Sequence, residues 1–209
     1  MIYDVNEFNR FSNLDSVQER IINYLILTNT TDINRIWKLL KYNTIDALLK
    51  DDLTQEEKAK LVDNDGIHQS EKKVFRYPFI EDAFTVESSI LRIYVDNLIP
   101  KNHLYSTVNI GFEIISHNKI SNVYNDASDE IEQERIYRPI EKEVYIKDRN
   151  TVLLKSLLSA LNGADVSGVG VLQFNSKESP FDNAKYGIFN NKNYSGFRLI
   201  MSCGMSGVG

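Results

Sequence analysis

Several residue types are scarce in this chain, and each scarcity excludes something. One cysteine, Cys203, allows no internal disulfide framework and fits a reducing compartment. Three histidines, His68, His103 and His117, stand singly in loop-like contexts with no second ligand at helical or turn spacing, so no metal site is expected. Only four prolines and ten glycines are spread over 209 residues, too few for a low-complexity or linker-type chain. The longest apolar stretch, "IINYLIL", falls far short of the roughly 20 residues of a membrane span. The N-terminus "MIYDVNEFNRF" is acidic early and lacks an apolar run ending in small residues, so no signal peptide is expected. A net charge of -5 argues against broad nucleic-acid binding, which needs basic surface to displace counterions from phosphates, and leaves room for a local basic face.

What is present suits one substantial fold. A hydrophobic share of 42%, with 11% aromatics, supplies a bulky core. Residues 15–29 read as a helix capped by Asp15 or Ser16, with Val17, Ile21 and Leu25 on one stripe. Asp32 is placed to cap a second helix, in which Ile33, Ile36, Trp37 and Leu40 share a face. Thr44 would cap a third, "IDALLK", and Thr54 with Glu57 spells a capping box for a fourth, "QEEKAKLV". Such short helices are marginal alone and must pack on something. The single tryptophan, Trp37, is therefore a candidate packing anchor for this cluster, or an interface anchor on a partner.

Beyond Gly66 the pattern changes. Residues 70–84 mix charge and aromatics around Pro78, the texture of a connector or an edge strand. "SILRIYVDNLIP" and "LYSTVNIGFEIISHN" read as strands. In the second, Val108, Ile110, Phe112 and Ile114 alternate with Thr107, Asn109, Gly111 and Glu113, which predicts one buried face and one polar, solvated face. Residues 121–141 are the most polar stretch and read as a loop or arm, with Asp126, Asp129, Glu130, Glu132 and Glu134 crowded together. A long helix is predicted from about Arg149, with Lys155 and Ser156 outward, stopped by Asn162 and Gly163. "GVGVLQFN" and "YSGFRLIMSCG" read as strands, the latter followed by a loose "MSGVG" tail. The predicted class is α+β: a helical segment over 1–66, then an α+β domain over 67–209 whose mainly antiparallel sheet is covered by one long helix.

No catalytic, cofactor or metal motif survives inspection. Gly163 and Gly168 have the spacing of a phosphate loop, but Val169 replaces the lysine and no helix follows. Ser206 lacks the second glycine of a nucleophile elbow. Cys203 on a terminal strand reads as a small apolar filler. The carboxylate pairs Asp51–Asp52 and Glu56–Glu57 sit at helix starts, where the dipole favours them.

Residues 88–203 resemble the tail-completion and tail-terminator proteins of tailed bacteriophages. The strand pair "ILRIYVDN" and "YSTVNIGFEIISHN", the helix "NTVLLKSLLSALNG", the strand "GVGVLQF" and the closing strand "YSGFRLIMSCG" carry the resemblance. The stretch "NRIWKLLKYNTIDALLKDDLTQEEKAKLV" is similar in texture to helical segments of phage neck and collar proteins, although the extended helical N-terminus departs from the compact terminator pattern. The resemblance implies a structural virion subunit assembled in the bacterial host cytoplasm. It implies a homo-oligomeric ring between head connector and tail tube, neighbours among neck, portal-adaptor or tail proteins, only passive contact with passing DNA, and no membrane. It also implies that the five carboxylates from Asp126 to Glu134 face the lumen. From the residues alone, a small intracellular α+β enzyme or regulatory binding domain is the alternative.

Overall fold

A computed structural model describes residues 14–64, 71–76, 87–101, 105–124, 146–174 and 193–206. The first helix begins with a single 3-10 turn, Leu14–Ser16, and becomes α1 over Val17–Leu27, two residues shorter at its end than the sequence suggests. Thr30, not Asp32, caps α2 (Thr31–Lys41): its hydroxyl accepts from the Ile33 amide at 3.4 Å, while Asp32 pairs with Arg35 one turn on. The expected third helix is only a 3-10 turn, Ala47–Leu49, because too few residues lie between Thr44 and Lys50 for propagation to offset nucleation. Thr54 and Glu57 do form the capping box of α3, Gln55–Lys60.

Glu57 is held down to about 2 by the Lys41 ammonium, the Thr54 amide and the Thr54 hydroxyl. Its folded-state value is depressed, so its contribution is present above about pH 4.5 and is lost as pH falls through 2. Carboxyl NMR titration should show a Glu57 midpoint near 2, and Glu57→Gln should abolish that part of the acid instability. A midpoint near 4.5 would contradict the pairing.

The main sheet has the order β1 (Val74–Phe75), β2 (Ser89–Pro100), β3 (Tyr105–His117), β8 (Tyr194–Ser206). Its long pairs, β2–β3 and β3–β8, are antiparallel; β1 is the short parallel edge strand foreseen in the connector. His117 thus ends a strand, buried and edge-on to Tyr194, rather than lying in a loop. Helix α4, Arg149–Leu161, crosses the sheet with Val152, Leu153, Leu157 and Leu161 inward. Ser156 is buried with them, so only Lys155 of the expected outward pair is outside. Gly163 takes φ 84° directly after the helix, the left-handed conformation that a β-carbon disfavours. "GVGVLQFN" is not one strand. It supplies the return of a tight hairpin, β6 (Asp165–Val166) and β7 (Gly170–Val171), and then a single bridge from Gln173 to Ser202. The closing strand runs on to Ser206, so the first residues of the expected tail are paired with β3.

The larger of two buried apolar clusters among the described residues joins the helices to the sheet; the smaller holds Phe75, Ile90, Ile115 and Tyr194. Ile21, Leu25, Ile33, Ile36, Trp37 and Leu40 belong to the same buried cluster as Ile93, Phe112, Leu153, Leu157 and Leu199. The short helices of the stretch from Asn34 to Val62 therefore pack on this chain's own sheet and on α4. The class is α+β, with a mainly antiparallel sheet and one longer helix across it.

Candidate functional site

The expected polar, solvated face of β3 is polar but buried. Thr107, Asn109 and Glu113 are all 7% exposed or less. Register decides what these polar residues meet. Arg92 on β2, Glu113 on β3 and Arg198 on β8 stand side by side, giving a row of charges plus, minus, plus across three strands. One step along, Tyr94, Gly111 and Ile200 form the next row on the same face.

These rows interlock. The Arg92 guanidinium pairs with one Glu113 oxygen, and the Tyr94 hydroxyl donates to the other at 2.7 Å. Arg198 pairs with Asp96 and lies 4.0 Å from Glu113. Its guanidinium carbon is 5.9 Å from the Tyr94 ring centre. Burial, then Glu113, pushes the Tyr94 hydroxyl well above its ordinary range, so it stays a donor. Gly111 makes room for the ring: a β-carbon there would fall 2.7 Å from Tyr94 Cζ. Two arginines and two carboxylates balance, so the face has no net charge. Glu113 is already an ion-pair partner and an acceptor, which leaves it ill suited to act as a free acid or base. The arrangement orders a surface and does not present a reactive group.

Gly111→Ala should cost about 1–3 kcal/mol by displacing the ring, and Tyr94→Phe about 1 kcal/mol by removing the hydroxyl. Because both break the same hydrogen bond, a double-mutant cycle in urea should show their effects to be less than additive. Simple additivity would mean that the ring does not rest on Gly111.

A second buried charge lies between the elements. Arg149, the first residue of α4, is 0% exposed, and its hydrogen-bond acceptors are all backbone carbonyls. It donates to Ile120 at 2.7 Å, Leu39 at 2.7 Å, Tyr42 at 2.8 Å and Thr44 at 2.9 Å. Burial draws the guanidinium down to about 10, which leaves it cationic at neutral pH. Leu39 and Tyr42 lie at the C-terminal end of α2, whose unpaired carbonyls and negative dipole end favour a cation.

The remaining sequence candidates are placed as follows. Trp37 is 1% exposed, and its indole donates to the Leu25 carbonyl at 2.8 Å. Cys203 is buried and its thiol is pushed up to about 11 by desolvation, so it is inert as a nucleophile. Gly163 and Gly168 lie in the α4 cap and the β6–β7 turn, and neither opens a helix. Asp126, Asp129, Glu130, Glu132 and Glu134 lie outside the described residues. The strands that flank them are described: β4 (Asn122–Tyr124) pairs antiparallel with β5 (Ile146–Asp148). Residues 125–145 therefore leave and return at one point, the Tyr124–Ile146 pair. Among the described residues no group of His, Cys, Asp and Glu is placed to hold a metal ion, and no helix is long and apolar enough to cross a membrane.

A family model described as YomW matches residues 34–203, which is most of the chain. The chain belongs to the YomW family. The family's name is phage-derived and points to a phage-encoded protein. The match begins in α2 three residues before Trp37 and ends at Cys203 on β8, so it takes in the Arg92–Glu113–Arg198 row and Arg149. No curated protein and no solved structure matches the chain.

The charged row was hidden from sequence reasoning. Each of its members looks like an ordinary solvent-facing residue of a half-buried strand, and only the pairing of β2 with β3 and β3 with β8 brings them together. A signal existed in part: Arg92 and Arg198 each stand between apolar residues at mid-strand.

Proposed function

We propose that this protein is a non-enzymatic structural subunit of a tailed phage, which builds a homo-oligomeric ring at the head–tail junction. Its neighbours in that reading are neck, portal-adaptor or tail proteins. Membership of a phage-derived family, joined to an antiparallel sheet crossed by one long helix, is the observation that supports it. The charged face fits the same reading, because its ionisable groups are spent on one another and none is left poised for chemistry. The loop or arm expected over residues 121–141 does not begin at 121, since Asn122–Tyr124 form strand β4; the arm reading of the rest is favoured by the single β4–β5 ladder at its base.

Electron microscopy of the purified protein, alone and with its neck neighbours, tests the ring. Closed rings are expected, and a strictly monomeric protein that binds a small molecule tightly would sink the proposal. The lumen assignment has its own test. Changing Asp126, Asp129, Glu130, Glu132 and Glu134 to Asn or Gln should leave assembly intact while altering DNA retention or release. Loss of folding in that variant would make the segment structural instead.

A further inference from the structure

The junction of α2 and α3 holds a buried polar cluster. Two features fix how the helices meet. The Thr54–Glu57 box orients the first turn of α3, and Lys41 of α2 pairs with Glu57 at 2.6 Å. Lys58, the next residue of α3, is thereby carried against α2 and is 3% exposed. Its Nζ donates to Oδ1 of Asn34 at 3.2 Å, and Asn34 is itself 7% exposed.

The Asn34 carboxamide is held at both polar atoms. Oδ1 accepts from Lys58, while Nδ2 donates to Asp52 Oδ2 at 2.7 Å and to Asn29 Oδ1 at 2.8 Å. A donor on one side and two acceptors on the other fix which atom is oxygen and which is nitrogen. Lys58 is less well served. An ammonium has three N–H donors, and among the described residues its side chain has one acceptor, Asn34. Burial lowers its pKa, against a smaller upward pull from Asp52, so the neutral amine is easier to reach than on an exposed lysine. Asp52 keeps contact with solvent: its side chain is 55% exposed, and its other oxygen pairs with Lys38 at 2.7 Å.

We propose that Lys58 and Asn34 join in an intramolecular isopeptide bond, with Asp52 as the proton carrier. An amine nucleophile, a carboxamide fixed beside it and a carboxylate on the leaving nitrogen are the groups that this acyl transfer needs. The lone pair of the neutral Lys58 Nζ attacks Asn34 Cγ, and the carbonyl electron pair moves onto Oδ1. The attacking nitrogen gives a proton to the Asp52 carboxylate, which passes it to Nδ2. The Cγ–Nδ2 bond then breaks, the carbonyl re-forms and ammonia leaves. One amide replaces another, so nothing is oxidised or reduced and no co-reactant enters. Burial of both reacting groups limits attack by water, the competing nucleophile. The product ties α2 to α3 across 24 positions of sequence. It stands independently of the ring reading, since it is formed within one chain.

Mass spectrometry of the full-length protein tests the bond without any substitution. The intact mass should fall short of the sequence mass by one ammonia. Trypsin should release residues 21–35 and 51–60 as one branched peptide, because a lysine in amide linkage is no longer cut. Linear peptides alone, with cleavage after Lys58, would overturn the proposal if they persist through prolonged incubation of the folded protein. An ammonia loss confined to a linear 21–35 peptide would overturn it too, since that is the mark of a succinimide at an asparagine. Lys58→Arg should restore the full mass. Asp52→Ala removes a half-exposed carboxylate and leaves both reacting groups in place. It should slow bond formation about a hundredfold after cell-free synthesis, with the near-ultraviolet signal of Trp37 unchanged. An unchanged rate in that variant would overturn the role of Asp52.

Discussion

Replacing Arg149 with methionine is expected to lower the unfolding free energy by about 3–5 kcal/mol, a large part of the whole stability of a domain of this size. Methionine nearly fills the volume, so the loss is not chiefly one of packing. It comes from the carbonyls of Leu39, Tyr42, Thr44 and Ile120, which are left facing an apolar side chain. Each buried acceptor without a donor costs about 1–3 kcal/mol, partly relieved by local relaxation. Arg149→Lys should recover only part of the loss, because one ammonium cannot span four carbonyls that converge from α2, the turn after it and the approach to β4. Urea unfolding followed by Trp37 emission measures both variants. A methionine variant within about 1 kcal/mol of wild type would mean that water or rearranged backbone satisfies those carbonyls.

Deleting residues 1–66 should abolish cooperative folding of the remainder. From the sequence, this segment looks like a set of short helices whose docking surface lies elsewhere, in a neighbouring subunit if this is a neck protein. The packing places that surface within the chain. Ile21, Leu25, Ile33, Ile36, Trp37 and Leu40 are each 1% exposed or less, in one cluster with Leu153, Leu157 and Phe112. Removing them strips α4 of its cover, at about 1.5–3 kcal/mol for each large side chain. It also takes away three of the four carbonyls that Arg149 binds, those of Leu39, Tyr42 and Thr44, leaving a buried cation with Ile120 alone. The truncated chain should precipitate, or show no sharp thermal transition by calorimetry. A soluble 67–209 fragment with a single sharp transition would show that the two parts fold separately.

The legible parts of this fold were those fixed by local chemistry. The Thr54–Glu57 box, the Gly163 stop and the apolar stripe of α4 each depend on residues a few positions apart, and each is found. The α+β class followed from counting such pieces. Errors arose where distant segments decide. Asp32 looked like a cap until Thr30 proved better placed and Arg35 engaged it. Ser156 looked outward because a hydroxyl in a helix is usually solvated, yet it lies on the face pressed to the sheet. Glu113 looked solvated for the same reason, and its true neighbours are residues 92 and 198, about twenty and eighty-five positions away. Arg149 was the least legible: an arginine beginning a helix gives no hint that it is wholly buried against carbonyls from three other segments.

Quantitative mass spectrometry of purified virions tests the central claim most directly. A structural subunit of the head–tail junction should be present in a fixed number of copies per particle, set by a ring and small beside the capsid protein. It should stay with the particle through density-gradient purification. Particles that contain none of the chain, or only traces that vary with washing, would contradict the account.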